Sequence, residues 1–180
     1  PVEPQTFFTP GGAAAVFLAG EALGEPDPSS PEYLAAADNN RRLLLDALGA
    51  RITDVLAHTP HPHRVSVLAE VERRFAADVH RTARTPFRSR ADVSVLSSLA
   101  QHYGLLTGTA HAAEPDLTFL GLASDSLARQ LSSTLSRQQD FLCLGDSHAY
   151  ALGRERVDEL VGAFLRAYYP VPAPWERPGA

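Results

Sequence analysis

The sequence predicts a helix-rich α/β fold, on three observations. Residues 116–146 alternate a short apolar run, a helical stretch and a second apolar run, the pattern of a βαβ unit. Four other stretches place apolar residues three and four apart, the period of an amphipathic helix. Proline, glycine and serine clusters separate these segments, as loops do. The expected architecture is a small, mostly parallel sheet flanked by about five helices, in a single domain over residues 1–180.

Composition bounds the function. With 180 residues, 44% hydrophobic and 21% charged, the chain can bury one core. A net charge of −5 argues against a generic nucleic-acid or anionic-membrane binder. All 16 basic residues are arginine, which is a composition effect and marks no single arginine. One cysteine, Cys143, excludes an internal disulfide framework and a CxxC metal site. The longest apolar run, 13–19, is too short to span a bilayer, and no signal-peptide pattern is present. There is no methionine, and the chain opens at Pro1 in what reads as mid-domain sequence. The expectation is a fragment, a processed chain or a trimmed one.

The elements follow in order. Phe7-Phe8 and Pro10-Gly11-Gly12 lead into "AAAVFLAG", which reads equally as a short buried strand or a helix. Residues 21–31 read as a loop. Ser29 and Glu32 have capping-box spacing, Pro31 suits a first turn, and a helix runs to about Leu48, ended by Gly49. "RITDVLAH" reads as a short extended piece before a histidine-rich loop. A second helix, from about Arg64 to Val79, puts Leu68, Val71, Phe75 and Val79 on one face. Residues 81–90 form a basic loop, and Ser89 with Asp92 makes a second capping box. A third helix is expected to bury Leu96, Leu99, Tyr103 and Leu106, stopping near Gly108. "DLTFLGLAS" and "DFLCLG" read as strands around a helix bearing Leu127, Leu131 and Leu135, hence a parallel pair with a right-handed crossover. A last helix, about Arg154 to Tyr168, turns Val157, Leu160, Phe164 and Tyr168 inward. The proline-rich tail 170–180 cannot be helical.

A few side chains suit chemistry. Arg41 falls on the apolar face defined by Leu34, Ala37, Leu44, Leu45 and Leu48. A buried arginine needs an anionic partner. It is either a structural salt bridge or a ligand for phosphate or carboxylate. His58, His61 and His63 do not have standard zinc spacing. They do precede a helix N-terminus, where amide groups and the dipole favour anions. Arg88 lies just before the capping serine of the third helix, and its guanidinium fork matches phosphate oxygens. Asp146 follows a buried strand, at the carboxyl end where open α/β sheets bind ligands. It reads as a turn residue or as a magnesium ligand. Cys143 reads as a buried thiol, and His80, His102, His111 and His148 show no partner pattern. No serine-hydrolase, P-loop or dinucleotide motif occurs.

Taken in order, "AHTPH", "FRSRADVSVLSSLAQHYGLLTG", "FLCLGD" and "FLRAYYPVPAPWE" resemble conserved regions three and four of the Stealth proteins. "FFTPGG" and "AAADNNRRLLLDALG" resemble the stretch after region two. That family includes bacterial capsular and exopolysaccharide phosphotransferases and the catalytic subunit of animal N-acetylglucosamine-1-phosphotransferase. The resemblance implies part of a larger Rossmann-like, glycosyltransferase-type catalytic domain. The implied reaction moves a sugar-1-phosphate from a nucleotide-sugar donor, typically UDP-linked, to a hydroxyl of an acceptor glycan.

Matched residue by residue, the resemblance makes His58 and Arg88 the catalytic pair, as base or phosphate ligand and as phosphate clamp. It makes Asn40 and Arg41 donor ligands, His61 a substrate contact, and Asp146 a metal-side residue for Mg2+ or Mn2+. The implied partners are donor and acceptor glycan, with no nucleic acid, and with a missing N-terminal half or a second copy of the chain. The implied location is cytoplasmic, peripheral to the inner face of the membrane. Two departures stand out. The family usually has asparagine before that aspartate, where this chain has Gly145. Regions one and two, with the Asn-Asp-Asp motif thought to hold most of the metal, are absent, so the chain alone is expected to be inactive. The competing reading is a non-catalytic helix-rich domain that binds an anionic glycan or a protein, with structural arginines. Convergence of His58, Arg41 and Arg88 on one pocket, with Asp146 at its edge, separates the two.

Overall fold

The computed structural model describes residues 4–25, 27, 29, 31–147, 149–173 and 175, with Pro4 and Tyr33 described for their backbone alone. His148 and most of the tail expected at 170–180 lie outside the described residues. The chain divides into two compact units, Pro1–Pro115 and Asp116–Ala180.

In the first unit β1 (Ala14–Ala22) is the middle strand of a three-stranded sheet. It pairs antiparallel with β2 (Asp54–Leu56) and parallel with β3 (Ala110–Ala113). The stretch that read equally as strand or helix is therefore a strand. Ala14 to Phe17 are all buried, as in a central strand covered on both faces. Its register with β2 shifts between Leu18 and Ala22, and Gly20 takes positive φ there, a bulge that bends the polar end away. β3, "AHAA", carried no sequence signal for a strand, because alanine is a poor strand former.

α1 spans Glu32–Leu48 and ends on Gly49 in the left-handed conformation, as expected. The capping box expected at its start does not form. Ser29 turns back onto the Asp27 carboxylate, and Pro31 stands at the N-cap with no side-chain bond. The buried stripe runs through Ala36, Asn40 and Leu44, while Leu34 and Leu45 are exposed. The face expected from the leucines is thus rotated by about one residue, which takes Arg41 to its rim.

The expected second helix is two, α2 (Val65–Arg74) and α3 (Ala76–Arg84). Phe75 leaves helical geometry between them and enters the core, edge-on to Tyr103 at 6.2 Å between ring centroids. The Ser89–Asp92 pair does form: the Ser89 N–H donates to Asp92 Oδ2 at 2.7 Å. It closes a turn, though, and the helix begins only at Val95, with one π turn (Val95–Leu99) before α4 (Ala100–Leu106). The Leu99 N–H reaches back five residues to the Ser94 carbonyl at 2.8 Å. That wider turn shifts the phase, so Leu99 and Tyr103 are buried while Leu96 is exposed, against expectation. Leu106, also expected inside, is exposed as well. The core of this unit gathers Leu44, Ile52, Val67, Val71, Phe75, Leu99 and Tyr103.

The second unit is the expected βαβ arrangement. β4 (Leu117–Gly121) and β5 (Phe141–Gly145) are parallel and in register from Leu117↔Phe141 to Gly121↔Gly145. α5 (Leu127–Thr134) connects them and α6 (Arg154–Tyr168) follows. Their core is Leu120, Leu127, Leu131, Val157 and Phe164. Cys143 is half-buried rather than fully enclosed. Parallel pairing predominates as expected, but over two small sheets, and the split second helix brings the described α-helices to six. No described helix is long and apolar enough to cross a membrane.

Candidate functional site

Five of the six site residues named from the sequence lie in the first unit, and Asp146 lies in the second. In the first unit the site is assembled by α1. The Asn39 amide donates to the carbonyls of Arg90 and Asp92 at 2.8 and 2.9 Å. Asn40 Nδ2 donates to the Ser94 carbonyl at 3.0 Å, and its Oδ1 accepts from the Ser94 N–H at 3.2 Å. Two adjacent asparagines thus clamp the backbone of the segment just after Arg88. Arg81 holds the same segment from the α3 side, donating to the Ala91 carbonyl at 2.8 Å. The Val93 N–H adds a bond to Thr82 Oγ1 at 3.0 Å.

The structure therefore brings Asn40 to the Arg88-bearing loop, through the loop's backbone. Asn40 is fully buried and both ends of its amide are engaged by Ser94. In this arrangement its side chain holds the backbone of the loop. Arg88 itself is exposed, and among the described residues it makes no hydrogen bond or ion pair. Its guanidinium is available on a loop fixed from two sides, which is what an oxyanion clamp requires. Arg41 is mostly buried. One nitrogen of its guanidinium donates to the Gly24 carbonyl at 2.8 Å and pairs with Asp38 at 3.2 Å. That tie between α1 and the loop before it matches the structural reading of Arg41.

The histidine loop leaves β2 after Ala57, whose N–H still bonds to the Phe17 carbonyl. His58 is exposed two residues beyond the end of the strand. His61 folds back so that Nε2 meets the Ala57 carbonyl at 3.2 Å, closing the loop on itself. His63, expected to be a solvated helix-start residue, is instead half-buried beside Gln101. Gln101 is buried and donates to the Pro62 carbonyl at 3.0 Å, so it fixes the loop's second half. Burial, and then the nearby charge of His61, pull the His63 pKa below its ordinary value. His102, also without sequence signal, is buried between the Ser98 and Asp54 carbonyls at 3.0 and 3.3 Å, and burial lowers its pKa. An open depression of about 220 Å³ lies here, lined by His63, Arg64, Gln101 and Thr109 among small apolar residues. None of the six residues named from the sequence lines it.

In the second unit Asp146 is exposed just past β5. Its Oδ1 accepts from the Ser147 N–H at 2.8 Å and from the Tyr150 hydroxyl. Arg154 donates to that hydroxyl and to Asp158. Among the described residues no three His, Cys, Asp or Glu side chains could together hold a metal ion. These residues do not by themselves fit a divalent cation, which takes six or more oxygen ligands. At Gly145 the structure accounts for the missing asparagine. A Cβ built there would overlap the tip of the Phe119 ring, standing 3.1 and 3.2 Å from its Cε2 and Cε1. The ring of β4 fills the space into which a side chain at 145 would project.

The class these features define is a helix-rich α/β protein that presents an arginine and a histidine on clamped loops. Its family follows from comparison. Residues 57–105 match Stealth protein CR3, conserved region 3, and residues 132–180 match Stealth protein CR4, conserved region 4. The chain belongs to the Stealth family. It is 39% identical over 180 residues to exopolysaccharide phosphotransferase SCO2592 of Streptomyces coelicolor, covering 98% of this chain and 19% of that protein. It is 38% identical over 181 residues to exopolysaccharide phosphotransferase CpsY of Mycobacterium tuberculosis, covering 98% and 34%. A Nocardia farcinica exopolysaccharide phosphotransferase is 40% identical over 185 residues, covering 100% and 36%. The chain thus spans between 19% and 36% of the length of these relatives.

Proposed function

We propose that the polypeptide carrying this sequence transfers hexose-1-phosphate from a UDP-sugar to a hydroxyl of an acceptor glycan, in exopolysaccharide or capsule synthesis. The observation that carries the reading is the Arg88 loop, an exposed guanidinium on a segment clamped by Asn39, Asn40 and Arg81. The likeness to exopolysaccharide phosphotransferases supports the reaction class.

In this reading a glycan hydroxyl attacks the phosphorus bonded to the sugar. A new P–O bond to the glycan forms, the P–O bond to UMP breaks, and the pair of electrons leaves with UMP. His58 takes the hydroxyl proton or steadies a phosphate oxygen. Arg88 offsets the charge that gathers on the equatorial oxygens, where positioning and charge neutralisation do most of the work. Asn40 acts through the loop it holds, Arg41 through the segment before α1, and His61 by closing the loop that carries His58. A magnesium or manganese ion would neutralise phosphate charge, with Asp146 as one carboxylate and the remaining ligands drawn from outside the described residues. The reading carries a cytoplasmic location at the inner face of the membrane.

The test is phosphodiester formation from UDP-sugars and a glycan acceptor with magnesium, for this chain and for the longer polypeptide that carries it. The reading expects product that disappears in His58→Ala and Arg88→Ala while folding is kept. No product in any form of a folded protein would leave the non-catalytic binding domain.

A further inference from the structure

β4 and β5 end on the same step, Gly121 opposite Gly145. Register partners in a parallel pair point to one face, and side chains alternate along each strand. Leu120, Leu142 and Leu144 pack into the core. Phe119, Gly121 and Gly145 therefore share the opposite face. Phe119 is 50% exposed there although its neighbour Leu120 is buried. Its ring tip lies over Gly145, whereas a Cβ added to Gly121 would meet no described atom within 4 Å. The result is a notch at the carboxyl end of two parallel strands, with the Phe119 ring over Gly145 as its wall and Gly121 as its open floor. Glycine within a strand often marks the close approach of a ligand, and the carboxyl end is where open α/β sheets bind one. The exposed carboxylate of Asp146 comes next in the chain, with the Tyr150 hydroxyl bonded to it.

From this geometry we propose that the Phe119–Gly121–Gly145 notch binds a pyranose ring of a glycan, stacked on Phe119. The electron-rich face of an aromatic ring attracts the weakly positive C–H groups of a sugar face. A carboxylate accepts hydrogen bonds from sugar hydroxyls. Where the family carries an amide, this chain offers an apolar face, so Phe119 sets specificity for the ring presented to Asp146. That last role rests on the phosphotransfer reading; the binding itself does not.

Saturation-transfer NMR on the intact chain tests it, with maltotriose, chitotriose and uridine as separate probes. The expected result is transfer to the ring protons of a trisaccharide and none to uridine. Phe119→Ala should weaken binding about tenfold and Phe119→Trp should retain it. Gly121→Val, which fills the open floor without a clash, should block binding in a folded protein. Absence of signal from both trisaccharides overturns the proposal, as does binding unchanged in Phe119→Ala and Gly121→Val, or preference for uridine. Because no turnover is read, Phe119-dependent sugar binding would stand even if phosphodiester formation failed.

Discussion

The two units of this chain stabilise their buried polar groups in opposite ways. In the first, Asn40, Gln101 and His102 bond to backbone 54, 39 and 48 residues away. In the second, the buried Thr134 bonds to Gln130, four residues back. Periodicity within a short window suffices to read the second unit: leucine spacing marks α5, a mixed apolar face marks α6, and short apolar runs mark both strands. The first unit depends on partners that no local window contains. A fully buried asparagine breaks the apolar stripe of α1, which is why the leucine pattern put Arg41 on the inner face and hid the role of Asn40. The π turn before α4 made the same kind of error at Leu96.

Core deletions should give the largest effects in both units. Leu44→Ala and Leu127→Ala each remove a fully buried side chain and should each cost about 3 kcal/mol by urea unfolding. Equal losses set the baseline against which the polar ties are judged. Asn40→Ala should then cost about 2 to 3 kcal/mol, because it empties a fully buried site, leaves the Ser94 N–H without its partner and takes one of two donors from the Ser94 carbonyl. Thr134→Val, the matching change in the second unit, should cost under about 1 kcal/mol. Equal costs for these two would erase the distinction between the units.

A smaller effect separates the units by pH. Burial lowers the pKa of both His63 and His102, so the unfolded chain binds more protons than the folded one as pH falls below about 6.5. Their contribution is present above that value and is lost on acidification through the folded-state pKa. The urea midpoint should therefore fall with pH in that range, and His102→Gln should flatten the dependence. A midpoint that rises on acidification would give the wrong sign. The smallest effect is expected at Ser29→Ala, within about 0.5 kcal/mol, since Ser29 does not cap α1.

The candidate site divides along the same line. His58, Arg88 and Asp146 were named from a loop, a helix start and a strand end together with a family pattern, and the structure leaves all three exposed. The clamp that positions Arg88 was not legible, because Asn39, Asn40 and Arg81 bond to backbone, and backbone partners leave no mark on side-chain spacing. Gly145 was noted as a departure from the family pattern, but its relation to Phe119 escaped notice for a related reason. That relation is a diagonal across two strands, visible only once the register is known.

The central claim is that Arg88 clamps donor phosphate on a loop held by Asn40. Phosphorus NMR of UDP-glucose titrated with the folded protein tests it most directly. The account predicts shifts of the phosphate resonances that vanish in Arg88→Ala, recover in part in Arg88→Lys, and weaken in Asn40→Ala with Arg88 intact. Undiminished shifts in Arg88→Ala would contradict it.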